Sequence, residues 1–208
     1  PEKLIRGLMI EVSLFENAKG VLAVEDNKPD CIKLLTEKTK DIPNITVAAL
    51  KTKYPQGSER QLIYAVTKRK INSKMLPAEA GCIVNNVDTV ISIANAIDEG
   101  CPLTDRIVTV TGDAIKDPVN VKVKTGTLYS ELVELAGGFV TEPEKIISGG
   151  PMMGFAIFDT DIPVTKTSSA LLCFQKDELA QIKQTPCINC GMCNLKCPVG
   201  LNPKLIKH

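Results

Sequence analysis

The first hundred residues alternate between segments with apolar residues at helical spacing and short segments rich in β-branched residues. In the opening segment the apolar residues recur three or four positions apart, which predicts an amphipathic helix: Leu4, Ile5, Leu8, Met9 and Val12. Strands are predicted at 20–25 and 45–50, and helices at 29–40, 58–68 and 87–97. Such alternation is typical of an α/β layer, so the pattern predicts one α/β domain in this part of the chain.

From about residue 101 the pattern changes to shorter strands separated by turns. Strands are predicted at 106–111, 119–124 and 145–147, with one helix at 128–136. Two strands, a packing helix and further strands are typical of a β-grasp module. We therefore predict a small α+β domain of this type at 101–165.

Four cysteines near the end of the chain have the spacing C-x2-C-x2-C-x3-C-P: Cys187, Cys190, Cys193 and Cys197. This is the spacing of bacterial ferredoxin-type iron–sulfur ligands, in which the fourth cysteine serves the second cluster of a two-cluster module. We expect the first three thiolates to bind one 4Fe–4S cluster and Cys197 to bind another. The pattern points to electron transfer.

A zinc knuckle or a disulfide pair would also use cysteines, but both fit this spacing less well. Zinc sites usually have two separated C-x2-C pairs or histidines, and the single histidine here is His208. A second cysteine run is absent, and the chain opens at Pro1 inside a predicted helix, so we expect a piece of a longer protein. Residues 166–208 are predicted to be the truncated start of a ferredoxin-type domain, with a buried strand at 170–174 and a helix at 176–184.

Composition excludes several other classes of function. The 25 lysines and arginines nearly balance 24 acidic residues, and this leaves no electrostatic footprint for nucleic acid. No apolar run approaches the roughly 20 residues needed to span a bilayer, so we predict no transmembrane segment. The isolated cysteines, expected to be small core residues in a reducing cytosolic compartment, are Cys31, Cys82, Cys101 and Cys173.

Two loops have the composition of ligand-binding segments. Residues 54–59 (YPQGSE) lie where a strand leads into a helix, whose first amides can bind an anionic group. Residues 84–89 (VNNVDT) place two carboxamides before another helix. Ordinary loops with helix N-caps remain the alternative for both.

Other polar or glycine-rich segments are expected to be structural. Residues 149–154 (GGPMMG) lack the spacing of a dinucleotide or phosphate-binding loop, and we expect a tight crossing between strands with core methionines. The acidic pairs in predicted turns are expected to be solvated: Asp113 with Asp117, and Glu142 with Glu144.

Seven ordered segments together resemble the RnfC family, the peripheral iron–sulfur subunit of membrane-bound Rnf electron transport complexes. They are KYPQGSE at 53–59, LIYAV at 62–66, VNNV at 84–87, RIVTVTG at 106–112, ISGGPMMG at 147–154, PVTK at 163–166 and the cysteine run. The resemblance implies three modules. These are the second half of a Rossmann-like α/β domain of the complex I flavoprotein-subunit type (1–100), a soluble-ligand-binding β-grasp domain (101–165) and the start of a ferredoxin-like iron–sulfur segment (166–208).

The resemblance also implies cofactors and the residues that bind them. Those expected to face a flavin mononucleotide or nicotinamide cofactor are Tyr54, Gly57, Glu59, Asn85, Asn86 and Thr89. The family's glycine-rich flavin loop is not in this sequence, and Ser58 replaces the first of two glutamates that complex I carries after the loop glycine. We expect two 4Fe–4S clusters, FMN and NAD(H) in the full-length protein, and at most one weakly held cluster in this chain alone.

The implied function is that of an electron-transfer subunit of an NAD-linked, ion-translocating ferredoxin:NAD oxidoreductase, with the isolated piece inactive. Its expected partners are the other subunits of a membrane complex, ferredoxin-linked carriers and NAD(H), without nucleic acid. The expected location is peripheral, on the cytoplasmic face of a bacterial membrane, with this piece soluble. The alternatives are a PduS-like cobalamin reductase and a non-catalytic binding module with a structural metal.

Overall fold

The computed structural model describes residues 1–72, 74–183, 185–197 and 201–206, without the side chains of residues 178 and 179. It divides into two compact units, Pro1–Cys101 with Pro186–His208, and Pro102–Thr185.

The first unit is an α/β layer built on two parallel strands. Its elements are α1 (Glu2–Ser13), β1 (Gly20–Glu25), α2 (Pro29–Thr39), β2 (Ile45–Leu50), α3 (Glu59–Thr67) and α4 (Val87–Glu99), followed near the end of the chain by α6 (Met192–Lys196) and α7 (Pro203–Ile206). β1 pairs with β2 from Gly20 opposite Ile45 to Glu25 opposite Leu50, and α2 makes the crossover that parallel strands require. The predicted alternation of helices and strands is confirmed.

The core of this unit lies between the helices and the strand pair. Its buried members come from both strands and from three helices: Leu4, Ile5, Leu22, Leu35, Ile45 and Val90. Gly7 allows α1 to lie directly against α4, since a Cβ at this position would lie 2.0 Å from the Val90 carbonyl oxygen. A glycine is therefore required at the contact between the two helices.

The second unit is a five-stranded mixed sheet covered by one helix. Its elements are β3 (Asp105–Thr111), β4 (Val119–Lys124), α5 (Tyr129–Leu135), β5 (Lys145–Ser148), β6 (Phe155–Ile157) and β7 (Ala170–Phe174). The strand order is β4-β3-β7-β5-β6, with β3 and β7 parallel and the other neighbours antiparallel. The sheet with its packed helix is of the β-grasp type that the sequence predicts, but β7 lies between β3 and β5, so the unit extends beyond the predicted end at residue 165 into the segment assigned to the iron–sulfur domain.

The core of the second unit packs α5 against the central strands. Leu132 of α5 and Val108, Val110, Leu171 and Cys173 of the sheet are completely buried. The buried Tyr129 hydroxyl donates to the Ser168 hydroxyl at 2.9 Å and forms a hydrogen bond with the Ser148 hydroxyl at 2.7 Å. The Tyr129 hydroxyl thus has hydrogen-bond partners inside this core, as most buried polar groups in native structures do.

The prediction that the isolated cysteines are core residues is right for only one of them. Cys173 is fully buried on β7, and burial raises the pKa of its thiol to about 11. Cys31 on α2 and Cys101 after α4 are exposed, and Cys82 is half-buried. Cys31 lies in the first turn of α2 and is exposed, although Leu35, one turn further along the same helix face, is buried. Helical spacing alone therefore does not decide the burial of Cys31.

The glycine-rich segment at 149–154 is a tight turn, but its methionines lie outside the core. The Gly154 amide donates to the Gly150 carbonyl at 2.8 Å, and a Cβ on Gly154 would lie 2.5 Å from the Ile147 side chain. Met152 and Met153 are 66% and 85% exposed. The prediction that these methionines belong to the core is therefore wrong, because both lie in the exposed part of the turn.

The acidic pairs are exposed, and one member of each also binds backbone. The Asp113 carboxylate accepts from the Gln175 amide at 2.8 Å, and the Glu144 carboxylate accepts from the Asp177 amide at 3.1 Å. Both hold the segment that leaves β7. In place of the helix predicted at 176–184, the described residues form only a 3-10 turn at Glu178–Gln181, and Gln184 lies outside the described residues.

Candidate functional site

The carboxyl ends of β1 and β2 meet at one edge of the first unit. Asp26 follows β1 directly, and its carboxylate accepts hydrogen bonds from the Thr52 amide at 3.0 Å and the Thr52 hydroxyl at 2.7 Å. The hydrogen bond from the Thr52 side chain lowers the pKa of Asp26 below its ordinary value. These bonds tie the two strand ends together at the edge where open α/β layers bind ligands.

The predicted ligand loop at 54–59 joins this edge to α3. The Gln56 amide donates to the Lys53 carbonyl and the Ser58 amide to the Pro55 carbonyl, each at 2.9 Å, so the loop is two consecutive turns. Ser58 is the N-cap residue of α3 and has extended backbone, but its side chain makes no capping hydrogen bond. The amides that open α3 therefore have no hydroxyl cap.

Two features of this loop fit a polar ligand. Gln56 is only 4% exposed, and its side-chain oxygen is buried without a hydrogen-bond partner among the described residues. Beside it, a Cβ on Gly57 would meet nothing within 4 Å, so the space over this backbone is open. A buried unpaired acceptor is costly and rare in native structures, and it marks a position where a donor is missing.

The second predicted loop ends at the start of α4. The Asn86 side-chain oxygen accepts from the Asp88 amide at 2.9 Å, so Asn86 is the N-cap that the alternative interpretation predicts. Asn85 does not cap the helix, because its side-chain amide donates to the Glu11 carboxylate on α1. Thr89 lies in the first turn of α4 and is exposed.

The six predicted cofactor residues lie in two groups of the first unit. Tyr54, Gly57 and Glu59 lie at the start of α3, and Asn85, Asn86 and Thr89 lie at the start of α4. All six are exposed, and no hydrogen bond between described residues joins the two groups. Both groups therefore lie at the N-terminal ends of helices, α3 and α4, with their residues open to solvent.

The cysteine run forms a loop that ends in the short helix α6. Cys187, Cys190 and Cys193 are exposed and Cys197 is half-buried. Asn189 and Gly191 have φ angles of 59° and 69°, and these left-handed residues curl the chain between the cysteines. The loop borders a small open cavity of about 150 Å³, whose lining includes Cys187, Cys193 and Lys204.

Two of the cysteine sulfurs accept backbone hydrogen bonds. The Asn189 amide donates to the Cys187 sulfur at 3.4 Å, and the Leu201 amide donates to the Cys197 sulfur at 3.4 Å. Such bonds favour the thiolate that an iron–sulfur cluster requires. Within the described ranges no three His, Cys, Asp or Glu side chains are grouped closely enough to hold a metal ion. The two amide donors suit thiolate ligands, but the described geometry does not bring the four thiols together, so their role as cluster ligands stays a prediction. Pro198 lies outside the described residues.

Sequence reasoning missed three residues of this region. Asp26 directly follows a predicted strand, and functional residues of α/β layers often lie at that position. Its position in the sequence could therefore have identified it as a candidate. Gln56 lies inside the predicted loop, but only the structure shows that its side-chain oxygen is buried. Glu11 has no sequence signal, since the residue that it contacts is 74 positions away.

The fold is shared with known structures. The NAD⁺-reducing NiFe hydrogenase in its air-oxidised state superimposes with a TM-score of 0.68 at 17% identity, covering 86% of this chain and 37% of that chain. The H₂-reduced state of an NAD⁺-reducing NiFe hydrogenase superimposes with a TM-score of 0.69 at 16% identity, with the same coverage of both chains. Among the described residues, no helix has the length and apolar character needed to cross a membrane.

Family models and relatives agree with this fold. Residues 1–95 match the model of the Nuo51 FMN-binding domain, and residues 107–156 match the model of the SLBB domain. The class is therefore a Nuo51-type FMN-binding domain followed by a soluble-ligand-binding β-grasp domain. The chain belongs to the RnfC family, the C subunits of ion-translocating oxidoreductase complexes, as the sequence pattern predicts.

Three relatives document the match. The chain is 42% identical over 205 residues to the C subunit of the proton-translocating ferredoxin:NAD(+) oxidoreductase complex of Clostridium ljungdahlii, covering 99% of the chain and 45% of the relative. It is 44% identical over 202 residues to the C subunit of the Na(+)-translocating complex of Acetobacterium woodii, covering 97% and 46%. Identity to the C subunit of the ion-translocating oxidoreductase complex of Pseudomonas aeruginosa is 37%, covering 97% and 26%. The chain spans about half the length, or less, of these curated relatives.

Proposed function

We propose that this chain is part of the electron-transferring C subunit of an ion-translocating ferredoxin:NAD oxidoreductase. Its role is to pass electrons between NAD(H), a flavin and 4Fe–4S clusters. The observation that carries the proposal is the 42–44% identity to the C subunits of such complexes over nearly the whole chain. The protein would lie on the cytoplasmic face of the membrane, bound to the other subunits of the complex and to ferredoxin-linked carriers.

The cysteine loop is proposed to ligate the clusters. Cys187, Cys190 and Cys193 would hold one 4Fe–4S cluster, and Cys197 would contribute to a second. The amides that donate to the Cys187 and Cys197 sulfurs stabilise negative charge there. Hydrogen bonds to ligand sulfurs raise the reduction potential of such centres, so these amides tune electron transfer.

The starts of α3 and α4 are proposed to bind the flavin and the nicotinamide cofactor. Gly57 leaves room for a planar ring or a phosphate above the backbone, and the buried Gln56 oxygen offers an acceptor at the same loop. FMN, when bound, supplies the exchange between a hydride and single electrons. The protein's own part is to hold that group, orient it and exclude water.

The cluster proposal is tested on the full-length protein, prepared without oxygen and reconstituted with iron and sulfide. Iron, sulfide and FMN are measured per protein, and paramagnetic signals are recorded after reduction. Cys187→Ser and Cys193→Ser should lose iron and the signal of one cluster. The matched control is Cys31→Ser, because Cys31 is exposed and stands outside the run.

The outcomes distinguish an electron-transferring cluster from a structural metal site. Equal iron content in Cys187→Ser and Cys31→Ser would contradict a ligand role for the run. A metal centre that takes up no electron from strong reductants would instead support a structural metal. Reduction of the clusters by NADH, lost in the cysteine variants, would support the electron-transfer role.

A further inference from the structure

The contact between α1 and α4 places a carboxylate beside one of the predicted cofactor residues. Gly7 permits the close approach of α1 to the first turns of α4, at Val90. Glu11 lies one turn after Gly7 on the same face of α1, because residues four apart on a helix are neighbours. Its carboxylate therefore reaches Asn85, directly before the α4 cap, and accepts a hydrogen bond from the Asn85 side-chain amide.

This hydrogen bond decides which polar atom Asn85 can offer to a ligand. A carboxylate accepts hydrogen bonds and donates none, so Asn85 must turn its NH₂ group toward Glu11. The Asn85 side-chain oxygen then has no hydrogen-bond partner among the described residues, and the side chain is exposed.

The neighbouring Asn86 is oriented in the opposite sense. Its side-chain oxygen accepts from the Asp88 amide at 2.9 Å, so its NH₂ group is left to donate. Two adjacent carboxamides thus offer one acceptor and one donor, and each orientation is set by a different contact in the fold.

We infer that Glu11 is a positioning residue for the cofactor site, through Asn85. By holding the Asn85 NH₂ group, Glu11 presents the Asn85 oxygen as an acceptor for an N–H or O–H group of the cofactor, such as the imide or a ribityl hydroxyl of a flavin. The inference rests on the proposed function of this edge. It assigns a role to a residue on α1 that does not itself touch the cofactor.

The experiment is an equilibrium FMN titration of the full-length protein after removal of flavin, followed by fluorescence. Glu11→Ala should weaken FMN binding about tenfold, the effect expected when a hydrogen bond to a charged group no longer orients a ligand contact. Glu11→Gln keeps an acceptor oxygen for Asn85 and should bind within about threefold of wild type. Glu16→Ala is the matched control, since Glu16 is an exposed carboxylate without a hydrogen-bond partner among the described residues.

A double-mutant cycle separates positioning from a general effect on the fold. In an Asn85→Ala background, Glu11→Ala should cause no further loss of FMN affinity, because the group that Glu11 orients is gone. A loss of the same size in that background would show that Glu11 acts through the packing of α1 on α4, and would overturn the inference. Denaturant unfolding of each variant reports that packing directly.

The outcomes also separate this inference from the proposed function. If wild-type protein binds FMN and Glu11→Ala binds equally well, Glu11 has no positioning role and the cofactor site stands. If wild-type protein binds no FMN, the flavin proposal fails, and the role of Glu11 fails with it.

Discussion

The two units of this chain differ in whether a buried polar side chain has hydrogen-bond partners among the described residues. In the β-grasp unit the Tyr129 hydroxyl is enclosed by the core and bonded to Ser148 and Ser168. In the α/β unit the Gln56 oxygen is equally enclosed but has no partner among the described residues. The first arrangement stabilises a closed core, whereas the second leaves an acceptor unpaired at the strand edge where ligands of this fold bind. Tyr129 therefore contributes to stability, whereas Gln56 belongs to the candidate functional site.

The largest expected effect is in the core of the β-grasp unit. Leu132→Ala deletes a completely buried side chain of α5, and we expect a loss of about 2–5 kcal/mol in the free energy of unfolding. Leu135→Ala on the same helix is the control, because Leu135 is 65% exposed and should change stability by less than about 0.5 kcal/mol. Urea unfolding followed by circular dichroism measures both. Equal losses would show that α5 does not pack as described.

In the α/β unit the most sensitive point is the contact of α1 with α4. Gly7→Ala inserts a Cβ that would lie 2.0 Å from the Val90 carbonyl oxygen, so the helices must move apart. We expect a loss of about 1–3 kcal/mol in unfolding free energy. Gly57→Ala adds the same methyl group where the space is open, and unfolding should hardly change. The opposite order of the two variants would be incompatible with this helix contact.

Substitution of the two buried polar groups tests the comparison itself. Tyr129→Phe removes the hydroxyl that bonds Ser148 and Ser168, of which Ser168 keeps its bonds with Thr165, and we expect a loss of about 1 kcal/mol in stability. Gln56→Leu removes an unpaired acceptor, and we expect a gain of about 1 kcal/mol together with weaker FMN binding. Thermal unfolding and FMN titration of both variants measure these effects. A loss of stability in Gln56→Leu would mean that its oxygen is paired in solution.

Acid should weaken the β-grasp unit through Asp105. Hydrogen bonds from Thr104, Lys122 and Lys124 lower the pKa of this carboxyl well below its ordinary value. A carboxyl whose folded pKa is lowered contributes stability above its unfolded pKa, and this contribution declines as the pH falls below that value toward the folded pKa.

We therefore expect the melting temperature to decline below about pH 4, and to decline less in Asp105→Asn. Glu142→Gln is the control, since Glu142 is exposed and has no hydrogen-bond partner among the described residues. Calorimetry from about pH 3 to about pH 7 measures the difference. An unchanged pH profile in Asp105→Asn would rule out this contribution.

The smallest effect is expected at the tip of the glycine-rich turn. Met152→Ser and Met153→Ser replace exposed side chains, and each should change the unfolding free energy by less than about 0.5 kcal/mol. Gly154→Ala in the same turn should be clearly destabilising, because its Cβ would lie 2.5 Å from Ile147. A large loss in either methionine variant would place that methionine in the core after all.

Elements with strong periodicity were predictable from the sequence alone. The strands at Gly20–Glu25, Ile45–Leu50 and Val119–Lys124 coincide with the predicted ranges, since short segments rich in β-branched residues favour extended backbone. Individual exposures were less predictable. Cys31 and Met153 are apolar in character but exposed, because their burial depends on which side of a helix or turn the rest of the fold covers.

The sequence by itself determined the alternation of helices and strands, the family of the chain and the spacing of Cys187, Cys190, Cys193 and Cys197, because these are properties of neighbours along the chain. Only the tertiary structure decided that Gln56 is buried without a partner among the described residues and that Glu11 binds Asn85. The physical reason is that a hydrogen bond or a burial depends on atoms from distant segments. Where the close packing at Gly7 places two helices side by side, residues 74 positions apart become neighbours.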